Sequence, residues 1–282
     1  MKYSFLLLQI LLGSVLQAQE LYVNSEPASN VPARSLSFKY GGKWLREKSP
    51  AHEHISSRHM LESSMGISKN LMLRPAITFG NMYNTYPDQQ QKFESVSLYL
   101  KYRFLSVDEI HKHFRASFYA KGLYSRNSLL YDELTIDGDQ SAFQFGLIAT
   151  QLINKLAISA TGSIHQVLDG ERFLKYGGPR RFGYQAFNYS LSSGYLLLPK
   201  TYKSYEQTNF NIYMEVLGGI GLDRKYDFMD LAPAVQLIFK SSSKLNLGYR
   251  FQIEGNAYRM ARSSAYLSFE KTLLNKLGKR KR

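Results

Sequence analysis

A serine, a histidine and an asparagine near the start of the chain are of the types that carry nucleophilic catalysis. Ser57 and His59 are two residues apart, so they share one face of a predicted strand. A hairpin register that places His59 opposite Asn81 would bring a hydroxyl nucleophile, an imidazole base and an orienting amide together. No recognisable catalytic motif surrounds them, and we predict that the chain is not an enzyme.

Histidines are the only clustered residues of a type that commonly binds zinc, because the chain contains no cysteine. His52, His54 and His59 lie in or beside the first long predicted loop, and His111 and His113 lie in a predicted turn. A flexible, solvated loop positions such ligands poorly. We therefore predict no metal site and no cofactor.

Two carboxylates are predicted to face each other near one end of the fold. A register that pairs Phe239 with Leu245 places Asp230 opposite Glu254. Like charges across strands are destabilising unless a cation or an arginine lies between them. Basic side chains of the adjacent loop are the favoured partners, and a Ca²⁺ ion is the alternative. These loop residues are Arg224 and Lys225.

Charged residues at inward positions of the predicted strands form the main candidate site. With apolar positions taken as outward, a basic cluster of Arg74, Lys101, Arg103 and Arg115 lies near one end of the lumen. Such a cluster attracts anions, so a pore here is predicted to favour small anionic solutes. A salt-bridge network that fills the lumen is the alternative. The other inward charges are Lys39, Glu62, Lys121, Glu215, Asp230, Arg250, Glu254 and Glu270.

These candidate residues are positioned by a long series of β-strands. Apolar and polar residues alternate along most of the chain, as in SVSLYLKYRF and KLNLGYRFQI. Most predicted strands reach the ~9–11 residues that a tilted membrane strand needs. The pattern predicts an all-β fold, a closed antiparallel transmembrane β-barrel of about 12 strands in an up-and-down meander, with a soluble β-sandwich as the alternative. The predicted strands are 35–45, 58–68, 71–81, 93–104, 114–125, 141–152, 156–166, 185–198, 207–219, 227–240, 245–254 and 264–273.

Short and long connections alternate between these strands, as in bacterial outer-membrane barrels. Residues 105–113 are predicted to form a connection of intermediate length. A second register, in which Ala149 pairs with Ile158, keeps apolar side chains opposite one another. Pro75 and Pro233 fall inside predicted strands, where they are expected to mark bulges or early strand ends.

Aromatic and aliphatic residues of the outward face are predicted to contact lipid. The lipid-facing residues include Leu98, Leu100, Phe104, Phe118, Leu147, Leu191, Leu237 and Leu247. Tyrosine and tryptophan are enriched where a barrel meets the two membrane interfaces. The candidates for these belts are Tyr40, Trp44, Tyr83, Tyr102, Tyr124, Tyr195 and Tyr249.

The ends of the chain have a different composition from the barrel. Lys2, the apolar run FLLLQILLGSVL and the small residue Ala18 predict a cleaved signal peptide over residues 1–18. An extended N-terminal segment follows over 19–34, then the barrel over 35–274 and a basic tail over 275–282. The formal net charge is +14. Because an exported chain seldom meets nucleic acid, the expected partners are outer-membrane lipid, surface glycolipid, small anionic solutes and, during biogenesis, the barrel-assembly machinery.

The chain resembles the small, uncharacterised outer-membrane β-barrel proteins of Gram-negative bacteria. The signal sequence, the alternating runs and the stretches YVNSEPASNVPARS, GISKNLMLRP and SLYLKYRFLS carry this resemblance. It implies a bacterial outer-membrane location and a porin-like passive channel or transport-associated barrel, with a plugged structural or adhesion barrel as the alternative. Outer-membrane phospholipases also resemble this architecture. In that family the histidine precedes the serine, whereas here Ser57 precedes His59.

Overall fold

The computed structural model describes residues 22–48, 53–81, 90–127, 140–168, 185–201 and 206–277. The predicted signal peptide, His52 and Tyr83 lie outside these residues. The described residues form twelve strands: β1 (Leu36–Lys48), β2 (Glu53–Gly66), β3 (Leu71–Gly80), β4 (Lys92–Glu109), β5 (Lys112–Ser125), β6 (Ala142–Ile153), β7 (Leu156–Val167), β8 (Gln185–Leu198), β9 (Asn209–Gly221), β10 (Asp227–Phe239), β11 (Ser243–Gly255) and β12 (Ser263–Leu273). Within the described ranges, there is no helix that is long and apolar enough to cross a membrane.

The twelve strands form a closed barrel. Each strand pairs antiparallel with its neighbours in the chain, and β1 pairs with β12, from Leu36 opposite Leu273 to Leu45 opposite Ser264. The predicted strand number, meander order and closure are therefore confirmed. We call the end that carries the β2–β3, β4–β5, β6–β7 and β10–β11 turns the turn end, and the opposite end the loop end.

The two faces of the sheet are chemically distinct. Outward side chains such as Leu98, Phe145 and Leu247 are 51%, 60% and 55% exposed. Inward side chains are polar and buried, as at Ser117 and Glu215. An apolar exterior around a fully hydrogen-bonded closed sheet is the arrangement that a β-barrel needs to be stable in lipid.

The connection predicted over residues 105–113 is instead strand. β4 continues past a bulge at Phe104, and the turn is formed by Ile110 and His111, the latter with a φ of 63°. The bulge interrupts the alternation of β4, so the pattern alone predicts that the strand ends there. Residues 104–109 consequently project beyond the last β3–β4 pair, Leu71 opposite Tyr102.

Both prolines lie where one ladder is interrupted. The β2–β3 register runs through Glu62 opposite Ala76 and resumes at Met65 opposite Leu73, which leaves Pro75 unpaired on that side. Pro233 likewise falls in a gap between β10 and β11. Each proline still has a partner position on its other neighbouring strand. A proline has no backbone N–H to donate, and it is tolerated here because strand pairing is interrupted on only one of its two sides.

The two predicted registers are wrong by two residues. Leu237 lies opposite Leu245, and Ala149 lies opposite Ala160. A slip of two residues preserves which side chains face inward, so the alternating pattern does not determine it. The turn determines it, here with positive φ angles at Lys240 and Ser241.

Candidate functional site: the barrel lumen

Residues 22–33, which we call the inner segment, lie inside the barrel and not beside it. At the turn end the chain leaves this segment through a turn in which Ser35 N donates to Pro32 O and Arg34 N donates to Gly66 O. Val23 and Ala28 are buried. The inner segment therefore occupies part of the lumen that an open channel would require.

The first residues of the inner segment are held by one carboxylate. Glu215 Oε1 accepts hydrogen bonds from the backbone N–H groups of Val23 at 3.0 Å and Asn24 at 2.9 Å. Glu215 Oε2 accepts the N–H of Ser25 at 2.7 Å, and the Ser25 hydroxyl lies 2.6 Å from that of Ser192. Three amide donors satisfy a buried charge that would otherwise be costly to desolvate.

An ion-pair network anchors the middle of the segment. The Glu26 carboxylate accepts hydrogen bonds from both terminal nitrogens of Arg74 and lies 3.5 Å from Lys101 Nζ. Lys101 Nζ also donates to Pro27 O at 2.8 Å and Ser29 O at 2.7 Å. Burial alone would raise the pKa of Glu26, but the positive charges of Arg74 and Lys101 lower this pKa well below its ordinary value.

Neutral contacts complete the docking of the segment. Ala28 N donates to Thr150 Oγ1 at 2.9 Å, and Ser117 Oγ donates to Ala28 O at 2.6 Å. Ala28 packs in a cluster that contains Met72 and Ile148. The contacts come from strands between β3 and β9, so the segment crosses a large part of the lumen near the turn end.

The four residues of the predicted basic cluster divide into two groups. Arg74, Lys101 and Arg115 all contact the inner segment, Arg115 through Ser29 Oγ at 2.7 Å. Arg103 instead donates to Lys69 O in the β2–β3 turn. Three of the four therefore bind a part of the chain itself, through glutamate, carbonyl and hydroxyl groups that the sequence pattern did not place there.

The predicted contact between Asp230 and Glu254 is absent. A bulge at Met229 and Asp230 places Asp230 opposite Gln252, while Glu254 lies opposite Met229 and is exposed at the loop end. The predicted inward position of Glu254 and the Asp230–Glu254 pairing are therefore wrong. The Asp230 carboxylate is bound by Arg250 at 2.5 Å and Arg259 at 2.6 Å, so an arginine does compensate it, but not from the predicted loop positions.

The other inward charges line the lumen. Lys39 pairs with Glu62 at 3.3 Å, and Lys244 pairs with Glu270 at 3.2 Å. Lys121 lines the cavity that remains beside the inner segment.

A buried ion pair of the lumen joins Arg58 and Glu94, neither of which belongs to the predicted set of inward charges. Arg58 Nε donates to Glu94 Oε2 at 2.6 Å, and both side chains are almost fully buried. Extending the inward alternation of β2 from Glu62 would have identified Arg58. Glu94 lies between Phe93 and Ser95, where the β3–β4 register shifts, so alternation does not predict its direction.

A cavity of about 740 Å³ remains in the lumen. Its lining extends from Phe228 near the loop end to Ser241 and Ser242 in the β10–β11 turn. Nine basic residues line it (Lys39, Lys43, Arg58, Arg74, Lys101, Arg115, Lys121, Lys244 and Arg250), against three acidic residues (Glu26, Glu62 and Glu270). Arg58 and Arg250 are paired with Glu94 and Asp230, which lie outside this lining. The basic residues of the lining still outnumber its acidic ones, and such an excess of positive charge concentrates anions.

The predicted serine, histidine and asparagine do not form a triad. His59 lies opposite Phe79, and its Nδ1 is 2.7 Å from the Tyr40 hydroxyl. Asn81 Oδ1 accepts the backbone N–H of Ser57, whose hydroxyl accepts a hydrogen bond from Gln91 Nε2. The predicted register was wrong by two residues here as well, so the imidazole and the amide have separate partners.

No group of three or more potential metal-binding side chains occurs among the residues described. His113 Nδ1 lies 2.8 Å from Asp108 Oδ1, beside the turn that contains His111.

No protein-family profile and no curated protein matches the sequence. Among solved structures, an outer membrane channel from Pseudomonas putida F1 is similar with a TM-score of 0.58 at 14% identity, over 89% of this chain and 100% of that one. The NanC porin gives a TM-score of 0.49 at 10% identity, over 85% and 100% of the two chains. The KdgM porin in complex with disordered oligogalacturonate gives 0.44 at 9% identity, over 84% and 98%. The similarity to the Pseudomonas putida protein shows that the chain has the fold of an outer-membrane β-barrel channel.

Proposed function

We propose that the chain is a transport barrel of the bacterial outer membrane, with a passage that favours anions and is narrowed by the inner segment. The observation that carries this proposal is the cavity, whose lining extends between the two ends of the barrel and has nine basic and three acidic residues. The inner segment occupies the lumen near the turn end, which we place on the periplasmic side because short turns face the periplasm in bacterial barrels.

Narrowing by the inner segment follows from its many contacts. Glu215, Arg74 and Lys101 hold it through charge-assisted hydrogen bonds. Such bonds are worth roughly 1.5–3 kcal/mol each, so the docked position of the segment predominates and thermal opening is rare. We therefore expect small conductance in the resting state and a larger one when the segment is removed.

The test is conductance of the detergent-refolded mature chain in a planar bilayer, beside a variant that lacks residues 22–31. We expect larger unitary steps from the deletion variant and a reversal potential that shows anion preference in a salt gradient. A cation preference would contradict the proposal, as would equal conductance of the two proteins. A vesicle-insertion assay on both proteins ensures that a missing current is not a failure to insert.

A plugged structural barrel is the second candidate. The hydrogen bonds between the inner segment and six strands favour it. In that case the full chain and the variant without residues 22–31 both insert into the bilayer, and neither of them conducts.

A further inference from the structure

Tyrosines in the lumen lie over glycines of the neighbouring strand. Tyr119 lies opposite Gly146, and Tyr189 lies opposite Gly218. A Cβ atom on Gly146 would come within 2.6 Å of Tyr119 Cε1, and one on Gly218 would overlap the ring of Tyr189. The missing side chain leaves room for each ring to pack against the barrel wall, and both tyrosines border the cavity.

A third tyrosine lies beside a glycine at ordinary contact distance. A Cβ on Gly41 would lie 3.4 Å from the Tyr266 hydroxyl, and Tyr266 also lines the cavity. Aromatic rings that lie along a wall offer a broad, flat contact surface to a molecule in the lumen.

Basic side chains lie beside two of the tyrosines that line the cavity, Tyr266 and Tyr99. Lys43 is the cross-strand partner of Tyr266. Tyr99 has Arg74 opposite it on one side and Lys121 on the other, and Arg74 Cζ lies 5.1 Å from the centroid of the Tyr99 ring. The lumen thus places a cation next to an aromatic surface at two positions, on β1–β12 and on β3–β5.

Two polar groups of the lumen, one on β4 and one on β7, are available to a ligand. The Tyr99 hydroxyl and Thr161 Oγ1 are buried and have no hydrogen-bond partner among the residues described. Both residues line the cavity. Because buried polar groups are normally hydrogen-bonded, a molecule in the cavity that reaches these two groups can supply the donors or acceptors they need.

We propose that the cavity binds organic anions that carry a ring, namely sugar acids or aromatic acids. The carboxylate would contact Lys43, and the ring would pack on its cross-strand partner Tyr266. A volume of about 740 Å³ suits such a molecule, since small-molecule sites commonly measure about 300–1,000 Å³. This inference rests on the proposed function, because it names the class of solute that the passage accepts.

The test is isothermal titration calorimetry of the full mature chain in detergent with glucuronate, benzoate, acetate and glucose. We expect at least one ring-bearing acid to bind roughly tenfold more tightly than both acetate and glucose, a difference of about 1.4 kcal/mol. The tighter of the two acids identifies whether the ring is a sugar or an aromatic one. Equal affinity for acetate and both ring-bearing acids would overturn the proposal.

Two substitutions locate the site. Tyr266→Leu and Lys43→Met should each weaken binding of the preferred acid about tenfold. Tyr249→Leu, on the exposed outward face of β11, and Lys112→Met, at the exposed turn end, are matched controls that should leave it unchanged. Heat-modifiable mobility on gels verifies that each variant is folded, and unchanged affinity in both lumen variants would overturn the assignment.

The outcomes separate this inference from the proposed function. A barrel that binds a ring-bearing acid but does not conduct after deletion of the segment contradicts the proposed function alone. A barrel that conducts anions but binds acetate as tightly as both ring-bearing acids contradicts this inference alone.

Discussion

The Glu215 carboxylate accepts the backbone N–H of Ser25 across the lumen at 2.7 Å, and this carboxylate is fully buried. The same group accepts the N–H groups of Val23 and Asn24. The inner segment therefore supplies three backbone donors that stabilise this buried charge.

Glu215→Gln should loosen the first residues of the inner segment. The substitution removes the charge and turns an NH₂ group toward one of the amide donors, so we expect a loss of about 1.5–3 kcal/mol in docking. Hydrogen exchange of the amides at 23–25 should accelerate accordingly. Glu254→Gln, at the exposed end of β11, is the control and should leave the exchange rates unchanged.

A disulfide between the inner segment and the wall should keep the barrel in its low-conductance state. The Ser25 and Ser192 hydroxyl oxygens are 2.6 Å apart, which is close enough for the ~2.05 Å sulfur–sulfur bond after small adjustments. The chain has no cysteine, so Ser25→Cys with Ser192→Cys would give one defined bond. Oxidation should suppress opening events in a bilayer and reduction should restore them. Identical current traces before and after reduction would contradict a mobile segment.

Mild acid should not release the inner segment through Glu26. The pKa of this carboxyl is lowered in the docked segment, chiefly by Arg74 and Lys101 acting against burial. A lowered pKa contributes stability that is complete above the ordinary value of about 4.5 and decreases as the pH falls below it. Protease cleavage within the segment should therefore be constant from about pH 8 to pH 5 and increase only in stronger acid. In Glu26→Gln the cleavage should be faster throughout; release of the wild-type segment between pH 7 and pH 5 would point to a different titrating group.

Gly218→Ala should destabilise the barrel because of Tyr189. The added methyl group would overlap the ring, and overpacking of this kind costs typically about 1–3 kcal/mol. Urea unfolding from lipid vesicles measures this cost, which should fall when Tyr189→Ala is made as well. Gly162→Ala is the matched control, since its Cβ would be 3.4 Å from Phe187, at the edge of ordinary contact. An equal cost with and without the Tyr189 ring would contradict the packing argument.

Much of the wall of the barrel was predictable from local pattern. Alternation identified the inward position of Lys39 and the outward position of Leu98 because adjacent residues of a strand point to opposite faces. The alternation does not determine the registers, because a slip of two residues leaves every side chain on the same face. The predicted pairing of Phe239 with Leu245, where the structure has Leu237, is such a slip.

The inner segment could not be placed from its own residues. It has no alternation, and Pro27 and Pro32 exclude regular pairing at their positions. Its location depends on Glu215 and Thr150, which are more than a hundred residues away in the chain. A possible signal was the inward Glu215, a buried acid for which the sequence analysis assigned no partner.

The distance along the chain between Ser25 and Glu215, 190 residues, also constrains biogenesis. A contact of such high sequence separation forms late, because the entropy of closing so long a loop must be overcome first. Residues 23–25 therefore reach their final partners only once β9 has taken its place in the barrel. A part of the chain that is synthesised before every strand is thus among the last to reach its folded position.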